Sequence, residues 1–220
     1  MNGRPSFLEN IPVVTRNLLY VNVIMFVASL INPSFMQETF AMSFPLSTHF
    51  RWWQPLTHMF MHANFMHIFF NMYTLVMFGM VVERALGTKK FIWFYLITGF
   101  GAVLLHTGVE FLQVQSLLKT YPGTDPQYIY DSIPGVLGAS GAVYGVLVAF
   151  AMIYPSAKLT LIFPPITLDA KWWVIIFIGI ELVTGITGTQ MGVAHFAHLG
   201  GALFGWLLIR YWRKTGKLYR

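Results

Sequence analysis

The chain has 220 residues, 56% of them hydrophobic and 10% charged, with a mean hydropathy of +0.61; this lies well outside soluble-domain composition and places the chain in lipid. It contains no cysteine, which excludes a disulfide scaffold, a Cys-based zinc or iron–sulfur site and a thiol nucleophile. The net charge of +6 does not read as a nucleic-acid footprint, because the basic residues sit in short loops between apolar runs and not on a soluble face.

Residues Met1–Arg16 are polar and Pro-punctuated. The apolar run after them ends at Asn32-Pro33 without a small-residue cleavage site, so it is expected to stay attached as a first span. At about 20 apolar residues per crossing, six spans are predicted: Asn17–Ile31, Phe65–Val82, Phe91–Leu112, Ala139–Tyr154, Trp172–Gly188 and Ala194–Trp212. Six spans put both ends on one side. With the N-terminus inside, twelve of the fourteen Lys and Arg residues are cytoplasmic and only Arg51 and Lys119 lie outside, which predicts an N-in/C-in topology. The fold expected is an all-α polytopic bundle, a single membrane domain over residues 1–220 with its core at about 15–212. No soluble appendage is apparent, and the basic tail after Trp212 reads as a lipid-facing anchor.

Two loops are long for such a bundle. The first, Pro33 to about Asn64, carries Phe44, Phe50, Trp52, Trp53 and Phe60, an aromatic content suited to the membrane interface. The second, Gln113–Gly135, reads as a turn-rich linker because of Pro122-Gly123 and Asp125-Pro126.

A strongly polar residue inside a span is costly and raises a question of function. Three groups stand out: His67 and Asn71, four apart on one face of span two; Gly138-Ala139-Ser140-Gly141 with Tyr144 and Gly145 at the start of span four; and His195 with His198, Gly200, Gly201 and Gly205 at the start of span six. Spans two, four and six run in the same direction, so these groups lie at one depth below the external surface. Span four is also short, sixteen residues or about 24 Å against a hydrocarbon core of about 30 Å, so its N-terminus is expected to be sunk. Irregular backbone at that depth is tolerated where it is buried in protein or borders water, and water at Gly138-Ala139 is what a hydrolase in a membrane needs.

Helical spacing puts Ser140, Gly141, Tyr144 and Gly145 in one sector and His198, Gly201 and Gly205 on one face. If the two helices pack through these glycines, the Ser140 hydroxyl can reach the His198 imidazole, as a nucleophile with a general base requires. An oxyanion would then form at the helix N-terminus, near the Ser140 N–H, with His67 and Asn71 as further donors.

Each signal alone also has a structural reading. G-x-S-G in a membrane helix is commonly a packing motif, and Tyr144 can be a core aromatic. A metal site on His58, His62 and His67, or a transporter built on them, would call for carboxylate or Cys partners or an H-E-x-x-H motif, and none is present. Glu83, Arg84 and Gly87 read as cytoplasmic anchoring. Glu110 and Glu181 appear isolated from the cluster and receive no catalytic role.

Together these residues resemble the rhomboid intramembrane serine proteases, through His62-x4-His67-x3-Asn71, Gly138-Ala139-Ser140-Gly141 with Tyr144, and Ala197-His198-x2-Gly201-x3-Gly205. The resemblance covers all six spans. It implies Ser140 as nucleophile, His198 as general base and acid, His67 and Asn71 as oxyanion-hole donors and Tyr144 stacked on the His198 ring, with no third-residue acid, metal or cofactor. It favours His198 over His195, which lacks the following glycines, and leaves His58 and His62 without a role. One departure is Trp53-Gln54, where the family often has Trp-Arg, which puts loop anchoring in question. The implied substrates are single-span transmembrane proteins cleaved near the external face, and the implied gate is span five with its outer loop Thr184–Val193. A catalytically silent membrane-helix binder is the main competing reading. A minimal core of this kind fits a bacterial plasma membrane.

Overall fold

The computed structural model describes residues 6, 8–161, 164–188 and 194–218. Helix α1 (Val13–Ile31) ends at Asn32, whose Oδ1 accepts the Phe35 N–H at 3.2 Å and starts α2 (Pro33–Phe40). An asparagine cap followed by proline at the first helical position satisfies one orphan donor and removes another. After α3 (Gln54–Thr57), Asn64 caps α4 (Phe65–Leu86), which contains a π turn at Leu75–Gly79. Gly87, at φ +79°, turns the chain into α5 (Thr88–Thr120). Then come α6 (Pro126–Ser132), α7 (Ser140–Ile153), an antiparallel hairpin β1 (Lys158–Thr160) and β2 (Thr167–Asp169), α8 (Ala170–Thr187) and α9 (His195–Lys214).

All six segments read as spans are helical. Four of these helices, α1, α4, α5 and α8, are long and apolar enough to cross a membrane. Helix α7 is apolar but has fourteen residues, about 21 Å at the α-helical rise, shorter still than its sequence predicts. It is also the most enclosed helix, buried at Gly141 to Val143, Gly145, Val146 and Val148 to Ala151, with α4, α5, α8 and α9 around it. Helices α1 and α8 are peripheral, and Ile24, Leu30, Ile31 and Ile186 expose large apolar surface, as lipid-facing side chains do.

Three expectations are corrected. The segment Gln113–Gly135 is mostly helical, because α5 continues to Thr120 and Asp125 caps α6 through its side chain and Pro126. The all-α expectation misses the β1–β2 hairpin, where Lys158 pairs with Asp169 at 2.6 Å across the register. The first loop does not lie wholly in the interface: Phe44 is buried against Tyr130, whereas Trp52 is 80% exposed.

At the opposite end, Glu83 accepts the Val14 and Thr15 N–H groups at 3.0 and 2.7 Å and the Thr15 hydroxyl at 2.8 Å. A buried carboxylate thus satisfies the N-terminus of α1, where the helix dipole favours negative charge. Arg84 donates to the Asn10 carbonyl. The basic tail, expected to anchor in lipid, is tied to the protein itself: Arg213 donates to the Met152 carbonyl at the end of α7 and Lys90 to the Lys217 carbonyl.

Candidate active site

Helices α7 and α9 meet through glycine. A Cβ on Gly201 would lie 1.8 Å from the Gly141 carbonyl oxygen, and one on Gly205 would lie 2.9 Å from Gly145 Cα. The backbones are therefore in direct contact, the approach that small residues allow in membranes. Across that contact, His198 Nε2 is 2.8 Å from Ser140 Oγ. The Tyr144 ring stacks on the imidazole, with centroids 4.4 Å apart and planes 7° off parallel.

Ser140 is the first residue of α7, with Gly138 two residues before it at φ +137°. That conformation suits only glycine, and the space around it says the same, since a Cβ there would sit 2.9 Å from His67 Cε1 and 3.4 Å from Ser140 Oγ. The Gly138 N–H donates to the His58 carbonyl at 2.9 Å, which ties this turn to the first loop. Asn64 Oδ1 accepts the His67 N–H at 2.9 Å, and His67 Nδ1 accepts the Ala63 N–H at 3.3 Å. With Nδ1 accepting, the neutral ring carries its proton on Nε2, the nitrogen nearer Gly138. The Asn71 amide spends one N–H on the His67 carbonyl at 2.9 Å and has a second to offer.

A cavity of about 990 Å³ is lined by His67, Asn71, Ser140, Tyr144 and His198, with Phe70 of α4 and Phe177 of α8 on its flanks. His58, His62 and His67 do not converge as a metal site would. His58 Nδ1 contacts the Gln54 carbonyl at 3.1 Å, and only the His62 and His67 rings approach, edge to face at 5.0 Å. Among the described residues no group of three or more His, Asp or Glu is arranged to hold a metal ion.

The expectation that Glu181 is isolated is overturned. From α8 it reaches the centre of the cluster: Oε1 accepts the Tyr144 hydroxyl at 2.5 Å and lies 2.9 Å from His198 Nδ1, and Oε2 lies 2.6 Å from His195 Nδ1. The signal was present in the sequence. In the expected topology span five ends outside at Gly188, which puts Glu181 about 10 Å below that end, close to the layer expected for His198. Glu110 pairs with His106 at 3.1 Å on α5 and lines the same cavity. Of the predicted gate, Gly185 and Gly188 are described, and Thr189–Val193, including Gly192, lie outside the described residues.

The Rhomboid domain family model matches residues 49–215. The chain is similar to the rhomboid protease AarA of Providencia stuartii, 32% identical over 165 residues that cover 71% of this chain and 54% of the relative. It is also similar to the mitochondrial presenilin-associated rhomboid-like protein A of Danio rerio, at 30% over 167 residues, 73% of this chain and 39% of the relative. Similarity extends to the chloroplastic rhomboid-like protein 11 of Arabidopsis thaliana, at 29% over 170 residues, 73% of this chain and 54% of the relative. The chain thus spans about half or less of these relatives' own length. Its long apolar helices make it a multi-pass integral membrane protein. Because the matched segment takes in most of the chain and every residue of the cluster around Ser140 and His198, the chain belongs to the rhomboid family.

Proposed function

We propose that this protein is an intramembrane serine endopeptidase that hydrolyses peptide bonds of single-span transmembrane proteins near the extracytoplasmic face. The observation that carries the reading is the 2.8 Å contact between Ser140 Oγ and His198 Nε2, on the wall of the cavity at the N-terminus of α7. His198 Nε2 takes the Ser140 proton as Oγ attacks the scissile carbonyl, and returns it to the leaving amine. Water then adds to the acyl-enzyme by the same proton route. The oxyanion is held by the Ser140 N–H, His67 Nε2–H and the second N–H of Asn71. Tyr144 keeps the imidazole in plane, and no metal or cofactor takes part.

In this reading the single domain of residues 1–220 crosses the membrane six times, N-in/C-in, with α7 and α9 as the fourth and sixth spans. Substrate reaches the site between α4 and α8, where Phe70 and Phe177 flank the cavity, and α8 with its outer loop is the gate. Cross-linking α8 to α4 is expected to stop cleavage of a membrane-embedded substrate. Membrane lipids are its surroundings and nucleic acid is not a partner. The bacterial relative supports a bacterial plasma membrane, although the mitochondrial and chloroplastic relatives show that similar chains also work in organelles.

The test is cleavage of a model single-span substrate by purified protein in detergent, comparing wild type, Ser140→Ala and His198→Ala, with EDTA in parallel. Activity that survives EDTA and disappears in both variants is expected. Cleavage that persists in Ser140→Ala would remove the nucleophile assignment. Wild type that neither cleaves nor labels at Ser140 with a fluorophosphonate would favour a silent membrane-helix binder.

A further inference from the structure

We propose that Glu181 is the positioning residue of His198, a carboxylate that supports the Ser140–His198 pair and is itself held by Tyr144 and His195. This rests on the reading of Ser140 and His198 as nucleophile and base.

A carboxyl group at membrane depth is costly unless its oxygens are engaged, and here both are. Glu181 is 8% exposed. Oε2 meets His195 Nδ1 at 2.6 Å, and that nitrogen also contacts the Thr184 hydroxyl at 3.1 Å. Oε1 receives the Tyr144 hydroxyl at 2.5 Å and stands 2.9 Å from His198 Nδ1. This last approach is off the direction of a ring N–H, and Nδ1 lacks an aligned hydrogen-bond partner among the described residues. It is therefore an electrostatic contact in the resting state. Tyr144 links the two groups directly, its ring stacked on His198 and its hydroxyl on the carboxylate.

The carboxylate has two uses in acyl transfer. Beside Nδ1 it favours the tautomer that leaves Nε2 free to accept the Ser140 proton. Once Nε2 has taken that proton, the imidazolium charge lies within 3 Å of a fixed and buried anion, where such a pair is stronger than in bulk water. Glu181 does not touch substrate and takes no proton. A purely structural role, pinning α8 to α9, would use the same contacts but would leave the chemical step alone.

The deciding experiment measures kcat and KM on a model single-span substrate, the rate of Ser140 labelling by a fluorophosphonate, and thermal stability. The proteins are full-length wild type, Glu181→Gln, Glu181→Asp, Ser140→Ala and His198→Ala. Loss of an aligned triad carboxylate costs about 10⁴ in kcat; for this contact a fall of about 10-fold or more is expected in Glu181→Gln, with KM unchanged, labelling slowed by the same factor, and partial recovery in Glu181→Asp. Unchanged kcat and labelling in Glu181→Gln, with or without a lower Tm, would overturn the proposal. If Glu181→Gln does not fold, Glu181→Met, which keeps the length of the side chain without its charge, decides by its labelling rate, and a wild-type rate there overturns the proposal. Cleavage or labelling that survives in Ser140→Ala would instead bring down the underlying reading, which separates the two failures.

Discussion

Gln54 stands where the family resemblance leads one to expect arginine, and its surroundings explain why glutamine serves. It is completely buried, and its side chain uses its full hydrogen-bonding capacity. Oε1 accepts the Ser43 and Arg51 N–H groups at 3.2 and 3.1 Å, and Nε2 donates to the Glu38 and His49 carbonyls, both at 3.2 Å. An arginine supplies donors only, so Gln54→Arg, nominally a return to the family residue, is expected to destabilise this protein by leaving two backbone donors unpaired, about 1–3 kcal/mol each. Thermal unfolding in detergent checks this, and a variant as stable as wild type would show that the loop re-forms around arginine. His67 gives a second residue-scale prediction. Removing one oxyanion donor typically costs about 10²- to 10³-fold in kcat, so His67→Ala should lower kcat by about 100-fold with little change in KM. An unchanged kcat would mean that the ring only fills space above Gly138. Ser140, His198, His67 and Tyr144 were legible in the sequence because each lies at a polar point of an apolar helix. Glu181 was equally visible as a lone acid, but it sits mid-helix on a span of opposite direction, and its partner became apparent only when α8 was laid against α9.

At the scale of elements, glycine decides how closely α7 and α9 approach. The i, i+3, i+7 pattern of His198, Gly201 and Gly205 was enough to predict a contact face, and the structure adds which glycine meets which. At Gly201 an added methyl would enter the Gly141 carbonyl, an obstacle of backbone, not of a side chain that can swing aside. Gly201→Ala must therefore push the helices apart or tilt them. Since overpacking costs about 1–3 kcal/mol and a misplacement of about 1 Å about 100-fold in rate, both stability and cleavage should fall. Gly108→Ala in α5 is the matched control, because nothing lies within 4 Å of the position where its Cβ would stand, and replacing a helical glycine there should be neutral or stabilising by up to about 1 kcal/mol. Equal losses in the two variants would mean that general helix disturbance, and not the α7–α9 contact, sets the activity. The boundaries of these elements were less legible than their faces. The extension of α5 to Thr120 and the short helix at Pro126 lie in polar sequence where hydrophobicity gives no signal, and they form because caps and tertiary contacts favour them.

For the molecule as a whole, the two long loops, Pro33–Asn64 and Gln113–Gly135, act as one plate beside the site. Ser47 and Thr48 donate to Asp131, Met42 and Val136 exchange backbone hydrogen bonds, Phe44 packs on Tyr130, and the His58 carbonyl holds the Gly138 N–H. None of these partners is near the other in sequence, which is why the first loop was read as an interfacial segment and the second as a plain linker. The plate is also where acid should act. Burial holds His58 neutral, its pKa lowered to about 4, and burial likewise lowers His62 to about 3. In the unfolded chain each titrates near 6.5, so between that pH and the folded value the unfolded state binds more protons and stability falls as pH drops. Asp131 adds a later step in the same direction: the Ser47 hydroxyl bond holds its pKa near 2 against an ordinary 3.8, so its stabilising effect is present above about 3.8 and disappears toward 2. The thermal midpoint in detergent should therefore be level above about pH 6.5 and decline below it, with the decline carried on below pH 4 by Asp131 as the His58 contribution ends. His58→Gln keeps a donor for the Gln54 carbonyl but cannot take up a proton in the unfolded state, so it should flatten the decline between pH 6.5 and 4. If that variant declines as steeply as wild type, the acid sensitivity comes from elsewhere in the chain and the loops do not govern it.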